Sequence, residues 1–511
     1  MYRIRKNIVY IVLLVVTFAI VLFNMVISPL YPMVYSQYNQ SILYLIGKMI
    51  KNGSVPYVDV VDHKGIYVLL FHYIAELIGA HNHIGLFLIG VIIIFISALY
   101  IYKMLILINK GSDKFIAFMS SVTFIVLQSL YTISYGTLQS ETFIVVGISI
   151  SLYYFIKDTI TKKYDVKSTL LYGVIFSYIL FIKANYNIYF LWIAICVLAK
   201  CIKEKAYNKI FVHLMYGALG IVIGATPAVL YAICNNCFKE MIYYTFIVNA
   251  IYSNAPYFGL NTKMESIIWT ISQFKYVYGA LMVFILMQIF ISKKVDDRHI
   301  QNIFKNIFAI LLLLIIATIV SARDYSYYLI VILPIVSILL NEYVKNLNHA
   351  FDSVTLFCSN ETWKKVFKYI VVVSIIICIV NLNLIYGRDM MVDNGKENLR
   401  VAKFVKDGYK NATNGIKRNV LVFGAELYLY DYLEVLPSFK YFAVPMIEFK
   451  YYREPYIETL EFIASKKSEV LIVGVGATLG EFYKNTNAKD IINNNYRLIA
   501  FSDGRSVLKS K

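Results

Sequence analysis

The chain has 511 residues, 59% hydrophobic and only 16% charged. Soluble globular domains carry about a quarter charged residues, and here the apolar excess falls in blocks long enough to cross a bilayer. That excludes a soluble fold and predicts a polytopic α-helical membrane protein. The formal charge of +18 does not indicate nucleic acid, because Lys and Arg sit in short loops between apolar blocks, where they orient a membrane protein.

In chain order, the basic start MYRIRK leads into an apolar run too long for a signal peptide, so it is expected to remain as a first span. Spans are expected near 8–28, 84–107, 115–133, 141–156, 168–182, 187–202, 210–234, 271–292, 303–320, 326–343 and 367–386, eleven in all. Residues 168–202 are read as two helices, because KANYN (183–187) puts a lysine and two turn-formers at the centre of what would otherwise be one over-long rod. With the N-terminus inside, the lysine-rich loops containing Lys103, Lys110, Lys162, Lys163, Lys200, Lys205, Lys293 and Lys345 all face the cytoplasm. Eleven crossings then put residues 388–511 outside.

That C-terminal stretch reads as a mixed α/β domain, with the boundary at 387/388. Strands are expected at 419–424, 438–444, 469–475 and 497–502, with a helix at 456–467. GVGATLG (474–480) is GxGxxxG rather than GxGxxG, so a strand-to-helix turn is preferred to a dinucleotide site. Six cysteines are too scattered for a disulfide framework. Cys234 and Cys237 form a lone CxxC, expected as a local disulfide or two idle thiols rather than a zinc site. His72, His81 and His83 lack a third-ligand pattern, so no metal is expected there.

The first outer loop runs from about Ser28 to His83. Segments 40–53 and 65–79 are too short or too polar to span and are read as interfacial helices. Between them lies PYVDVVDHKG, which gathers Asp59, Asp62, His63 and Lys64 within six residues. A carboxylate can take a proton from a hydroxyl nucleophile, and a lysine is a compact cation suited to phosphate. At a lipid–water boundary these groups suit a substrate with an apolar tail and a phosphate head; the alternative is simple headgroup anchoring. Glu141, Lys183, Arg323 and Asp324 are further outer polar residues. Their alternatives are helix capping, snorkelling and a surface ion pair.

These motifs resemble the GT-C membrane glycosyltransferases, the group of protein O-mannosyltransferases and lipid A aminoarabinose transferases, and most closely the bacterial cell-envelope members. The likeness rests on Gly47, Gly53, Pro56, Tyr57, Asp59, Asp62, His63, Lys64 and Gly65 in the first loop. It extends to Arg323, Tyr325, Tyr328 and Pro334 in ARDYSYYLIVILP, and more weakly to TLQSET and YTFIVNAIYS. The resemblance implies transfer of a sugar from a polyprenyl phosphate to a cell-envelope glycan, lipid or protein on the outer face of the plasma membrane. It requires no cofactor or metal. Lys64 is then the phosphate contact, with His63, Lys183, Arg323, Tyr325 and Tyr327 as helpers; Asp59, Asp62 and Glu141 organise the site or supply the base. Three positions depart from the family pattern. Asn39 stands where the family carries its catalytic aspartate, Tyr327 where it carries histidine, and Ile66 where it carries proline. A degenerate member that binds lipid-phosphate sugars without turnover, a lipid-linked sugar transporter and a polymerase are the alternatives.

Overall fold

Apolar blocks in a bilayer become helices because every backbone N–H and C=O must be satisfied internally. The computed structural model of the chain follows this rule and describes residues 2–31, 38–79, 83–257, 259–294, 298–354, 388–474 and 477–511. Two compact units are present, neither contiguous in sequence. One comprises Met1–Met25, Ile89–Pro227 and Ile267–Arg388. The other comprises Val26–Leu88, Ala228–Ser266 and Asp389–Lys511, so the first loop and the 228–266 segment group with the C-terminal residues.

The first unit is a bundle of long apolar helices. Among the described residues eight helical stretches are long and apolar enough to cross a membrane, against the eleven expected. Three differences account for this. Lys114–Ser129 is a shorter apolar helix, Val166–Lys203 counts as one stretch, and the expected span at 367–386 lies outside the described residues.

Within Val166–Lys203 the chain nevertheless folds back. The helix Val166–Lys183 ends where Lys183 takes an extended conformation, φ −163° and ψ 99°. A 3₁₀ turn, Ala184–Ile188, then leads into the helix Tyr189–Lys203. The ring of Phe190 lies 5.7 Å from that of Phe176; along one straight helix the two would be roughly 21 Å apart at 1.5 Å per residue. The lysine and two asparagines of KANYN therefore make the turn, as the sequence suggests. Asn185 fixes it by donating to the Ala317 carbonyl (2.9 Å) and Ser321 Oγ (3.1 Å).

Helix Tyr207–Cys234 packs on Val166–Lys183 through small residues. A β-carbon on Gly220 would fall inside contact distance of the Leu170 carbonyl oxygen, and one on Gly224 would lie 2.5 Å from that of Val174. Close backbone approach of this kind holds membrane helices together where no hydrophobic driving force acts. Gly220→Leu is expected to destabilise the bundle by about 3 kcal/mol, read as a lower unfolding midpoint in detergent. Elsewhere on Tyr207–Cys234, Leu219, Val222 and Leu230 are exposed, as a lipid-facing surface requires. The protein is a multi-pass membrane protein.

In the second unit, helices Tyr38–Lys51 and Ile66–Gly79 replace the expected 40–53 and 65–79. Each has 14 residues, roughly 21 Å of helix, too short for a core about 30 Å thick. They meet closely at Gly47, where a β-carbon would lie 2.6 Å from the His72 carbonyl oxygen. His72 is buried. Its Nδ1–H donates to the Val68 carbonyl (2.8 Å) and its Nε2 accepts from the Gln40 amide (3.0 Å). Burial, opposed by the Val68 bond and aided by Lys64, pushes its pKa down to about 4 from 6.5. The unfolded chain therefore takes up this proton first as pH falls. The stability contribution is full above pH 6.5 and is lost by about pH 4, about 3 kcal/mol in all. His72→Gln is expected to flatten an unfolding-midpoint profile over that window.

The unit also holds a four-stranded sheet of order β1-β2-β4-β3: β1 Val420–Phe423, β2 Val470–Val473, β3 Tyr496–Ser502 and β4 Arg505–Ser510. β1 and β2 are parallel, and β4 joins β2 and β3 antiparallel. The expected helix is Glu454–Ala464. Two expectations need correction. Residues 438–444 form no strand; their aromatic side chains pack inward while the backbone runs as a loop along the first-loop segment, with Val61 N–H donating to the Lys440 carbonyl (3.1 Å). β4 is additional, joined to β3 by Asp503–Gly504, both at positive φ, the signature of a two-residue hairpin turn. In GVGATLG, Val475 and Gly476 lie outside the described residues. A β-carbon on Gly474 would lie 2.6 Å from the Ala425 Cα, so this glycine lets the ends of β1 and β2 close together.

Candidate active site

The segment PYVDVVDHKG forms a tight, self-bonded loop. Pro56 and Val60 make a short bridge, and the Asp59 carboxylate accepts from the Val55 N–H (2.7 Å). Asp59 is exposed and fastens the loop. Tyr57 sits at φ 68°, a left-handed conformation costing about 1–2 kcal/mol for a bulky residue. Its surroundings hold it there. The ring stacks on Tyr244 at 6.0 Å, its hydroxyl donates to the Lys64 carbonyl (2.8 Å), and Thr245 Oγ1 reaches it at 3.4 Å. The strain turns the chain so that Asp62, His63 and Lys64 line a cleft of about 90 Å³.

The opposite walls come from Tyr244 and Val248, in the π-helical turn Tyr243–Val248, and from Tyr441, 443–447, Tyr452 and Pro455. π-turns recur at functional sites because the extra residue redirects side chains. Here the turn lets Asn249 donate its amide to the His63 carbonyl, and the His63 ring lies 4.8 Å from that of Tyr252. The Tyr244 and Tyr441 hydroxyls meet at 3.0 Å, and Tyr441 donates to Glu454 (3.2 Å).

Asp62 is buried and accepts from the Lys64 N–H (2.8 Å) and from Lys64 Nζ (3.4 Å), with His63 Nδ1 at 3.7 Å. Burial alone would raise its pKa. The Lys64 ammonium, His63 and the Lys64 hydrogen bonds outweigh it and hold the carboxyl below the usual carboxylate range. Lys64 is thus a largely buried cation, 15% exposed, paired to a fixed anion and facing a cleft. Such a pair can accept an incoming phosphate oxygen on the ammonium while the carboxylate keeps the lysine in place. Asn39 is half-buried at the second position of Tyr38–Lys51, next to the Gln40 that bonds His72.

The first unit holds a separate polar cluster. Glu141, in the first turn of helix Ser140–Thr161, is buried; it accepts from Lys183 Nζ (2.8 Å) and the Tyr186 hydroxyl (3.2 Å). The Lys183 ammonium also lies 3.8 Å above the Tyr328 ring, a cation–π contact. Tyr325 and Tyr327 stack at 5.1 Å, and Tyr328 meets both edge-on. Arg323 is buried, donating to the Ala322 carbonyl (3.0 Å), while Asp324 accepts from the Trp269 indole (3.0 Å). Each cluster lies within its own compact unit: Asp59, Asp62, His63, Lys64 and Asn39 in one, Glu141, Lys183, Arg323, Tyr325 and Tyr327 in the other.

Sequence reasoning gave no role to Tyr441 or Tyr452 and noted YTFIVNAIYS only as a landmark. The clustering of tyrosines beside asparagine in that segment is the signal that finds Tyr244, Asn249 and Tyr252. Cys234 and Cys237 are free thiols, so of the two expected states the idle pair is present. His81 lies outside the described residues, and His83 is buried edge-on against the Tyr44 ring, 4.6 Å away.

Two solved structures share this architecture along nearly the whole chain. ArnT from Cupriavidus metallidurans in the apo state superposes with a TM-score of 0.59 at 10% identity, covering 99% of this chain and 98% of that one. The same protein bound to undecaprenyl phosphate gives 0.52 at 10% identity, covering 98% and 97%. A search of curated protein sequences finds no match. The expected GT-C resemblance therefore holds at the level of the fold. A family model for the putative competence-induced protein Ccs4 N-terminal domain matches residues 2–355. Because that match takes in most of the chain, including both polar clusters, this GT-C-fold membrane protein belongs to the Ccs4 family.

Proposed function

We propose that the protein is an integral-membrane glycosyltransferase that moves a sugar from a polyprenyl-phosphate donor to a cell-envelope acceptor on the outer face of the plasma membrane. The observation that carries this reading is the Lys64 ammonium held by buried Asp62 at the edge of a tyrosine-walled cleft. A fixed cation of this kind stabilises the negative charge that grows on a departing lipid phosphate as the acceptor hydroxyl attacks the anomeric carbon. The fold supports the reading, since one structure of ArnT holds undecaprenyl phosphate. Nucleotide sugars stay in the cytoplasm, so a lipid-linked donor supplies the activated sugar, and we assign no cofactor. In this reading the N-terminus is cytoplasmic and residues 388–511 are extracytoplasmic. In their own unit, Glu141, paired with Lys183 and Tyr186, and Arg323 are kept as candidates for a carboxylate and a phosphate-ligand role.

Asn39 favours a second reading, binding without turnover, because an amide cannot accept a proton at neutral pH. One experiment separates the two. The protein is reconstituted in liposomes with labelled polyprenyl-phosphate sugars, and transfer is compared for wild type, Lys64→Ala and Asn39→Asp. Wild-type transfer that Lys64→Ala lowers about 100-fold or more is the expected result. Activity that appears only with Asn39→Asp establishes the binding-only reading. Donor translocation without transfer in any variant overturns both in favour of a transporter.

A further inference from the structure

Away from its polar cluster, the first unit has an apolar groove of about 390 Å³ between helices Val166–Lys183, Tyr189–Lys203 and Tyr207–Cys234. Gly173, Phe176, Phe190, Val197, Gly217 and Ile221 are among its lining residues. Its lining on the last helix runs from Ile210 to Ile221, roughly 16 Å along the axis at 1.5 Å per residue. That length suits the inner part of an acyl chain. Polar contacts interrupt the lining near the helix starts: Thr169 Oγ1 meets His213 Nδ1 at 2.7 Å, and the Tyr172 hydroxyl donates to the buried Asp158 carboxylate (3.1 Å).

The loops at that same end are strongly basic. Lys162, Lys163 and Lys167 flank the start of Val166–Lys183, and Lys200, Lys203, Lys205 and Lys209 the junction of the other two helices; Asp165 and Glu204 are the acidic residues between them. Lys162, Lys163, Lys167, Lys203, Lys205 and Lys209 are exposed, and Glu204 engages Lys200 (2.6 Å) and Lys209 (3.9 Å). An apolar slot long enough for the inner part of an acyl chain thus opens beneath a net positive rim. Basic pockets between membrane helices on the cytoplasmic side bind anionic headgroups.

We propose that this groove is a specific site for an anionic glycerophospholipid, with an acyl chain between the three helices and the phosphate on the lysine rim. The occupant is a structural lipid and takes no part in sugar transfer. Ala194 and Ala218 line the groove and are exposed, so Ala194→Trp and Ala218→Trp fill it from the lipid side without opening the bundle core. Lys167, Lys203 and Lys209 can be changed together to Gln without disturbing buried contacts.

The full-length protein is delipidated, reloaded with phosphatidylglycerol or phosphatidylcholine of matched chains, and examined by native mass spectrometry and thermal unfolding. Wild type is expected to retain phosphatidylglycerol preferentially, with a raised unfolding midpoint. Each lysine removed is expected to lower retention about fivefold, and either tryptophan to abolish the preference while leaving the lipid-free midpoint unchanged. Equal retention of the two lipids by wild type overturns the proposal, as does a preference that survives groove filling. So does a preference indifferent to the lysine substitutions.

Discussion

Lys64→Ala is expected to lower transfer from a polyprenyl-phosphate sugar about 100- to 1,000-fold, the range seen when one preorganised stabiliser of developing charge is removed. The size follows from placement. Lys64 is 15% exposed and its ammonium is aimed by buried Asp62, 3.4 Å away, so no reorganisation is needed as charge builds on the leaving phosphate. The substitution also strands Asp62. Without the ammonium, the burial that already opposes ionisation has less to outweigh it, and the carboxyl shifts toward its neutral form. Lys64→Arg keeps the charge but broadens it over a planar fork; it is expected to retain donor binding while losing part of the rate. Steady-state transfer in proteoliposomes, with unfolding midpoints as the folding control, checks both. A Lys64→Ala rate within twofold of wild type removes Lys64 from the chemistry.

What the sequence made legible was what rests on short-range rules. The apolar blocks, the KANYN reversal and the three strands β1, β2 and β3 are local events, driven by backbone satisfaction in lipid and by runs of β-branched residues. The first-loop motif was legible as chemistry because four ionisable residues in an apolar context demand a reason. The strain at Tyr57 was not, since it depends on Tyr244, 187 positions further along the sequence. SFKYFAV looked like a strand because alternating aromatics suit a pleat. In the fold Phe439 stacks on Phe462 and Phe442 packs on Tyr430, Tyr441 walls the cleft, and the Lys440 carbonyl accepts from the first loop. β4 is hidden because four of the six residues of RSVLKS are polar, although the Asp503–Gly504 pair before it is a strong hairpin signal. The buried partnership of Glu141 with Lys183 and Tyr186 is not legible in the sequence, because it joins the head of one helix to the KANYN turn more than 40 positions away.

The second large effect is expected at that partnership. Glu141 is 1% exposed and Lys183 24%, so Lys183→Met leaves a buried carboxylate with only the Tyr186 hydroxyl as a hydrogen-bond donor among the contacts described. Stranding one member of a buried pair costs about 3–5 kcal/mol, and the unfolding midpoint in detergent is expected to fall accordingly. The double variant Glu141→Gln with Lys183→Met removes the stranded charge and is expected to recover most of that loss, giving a coupling energy of about 2 kcal/mol or more in a double-mutant cycle. The Lys183 cation also sits 3.8 Å over the Tyr328 ring, so Lys183→Arg, which preserves both the charge and the ring contact, is expected to stay near wild type. If the pair is purely structural, transfer activity follows stability through the whole series. If Glu141 takes part in the chemistry, the double variant regains its midpoint while its activity stays low. A double variant no more stable than Lys183→Met alone removes the ion pair as the reason why a carboxylate stands at the head of this helix.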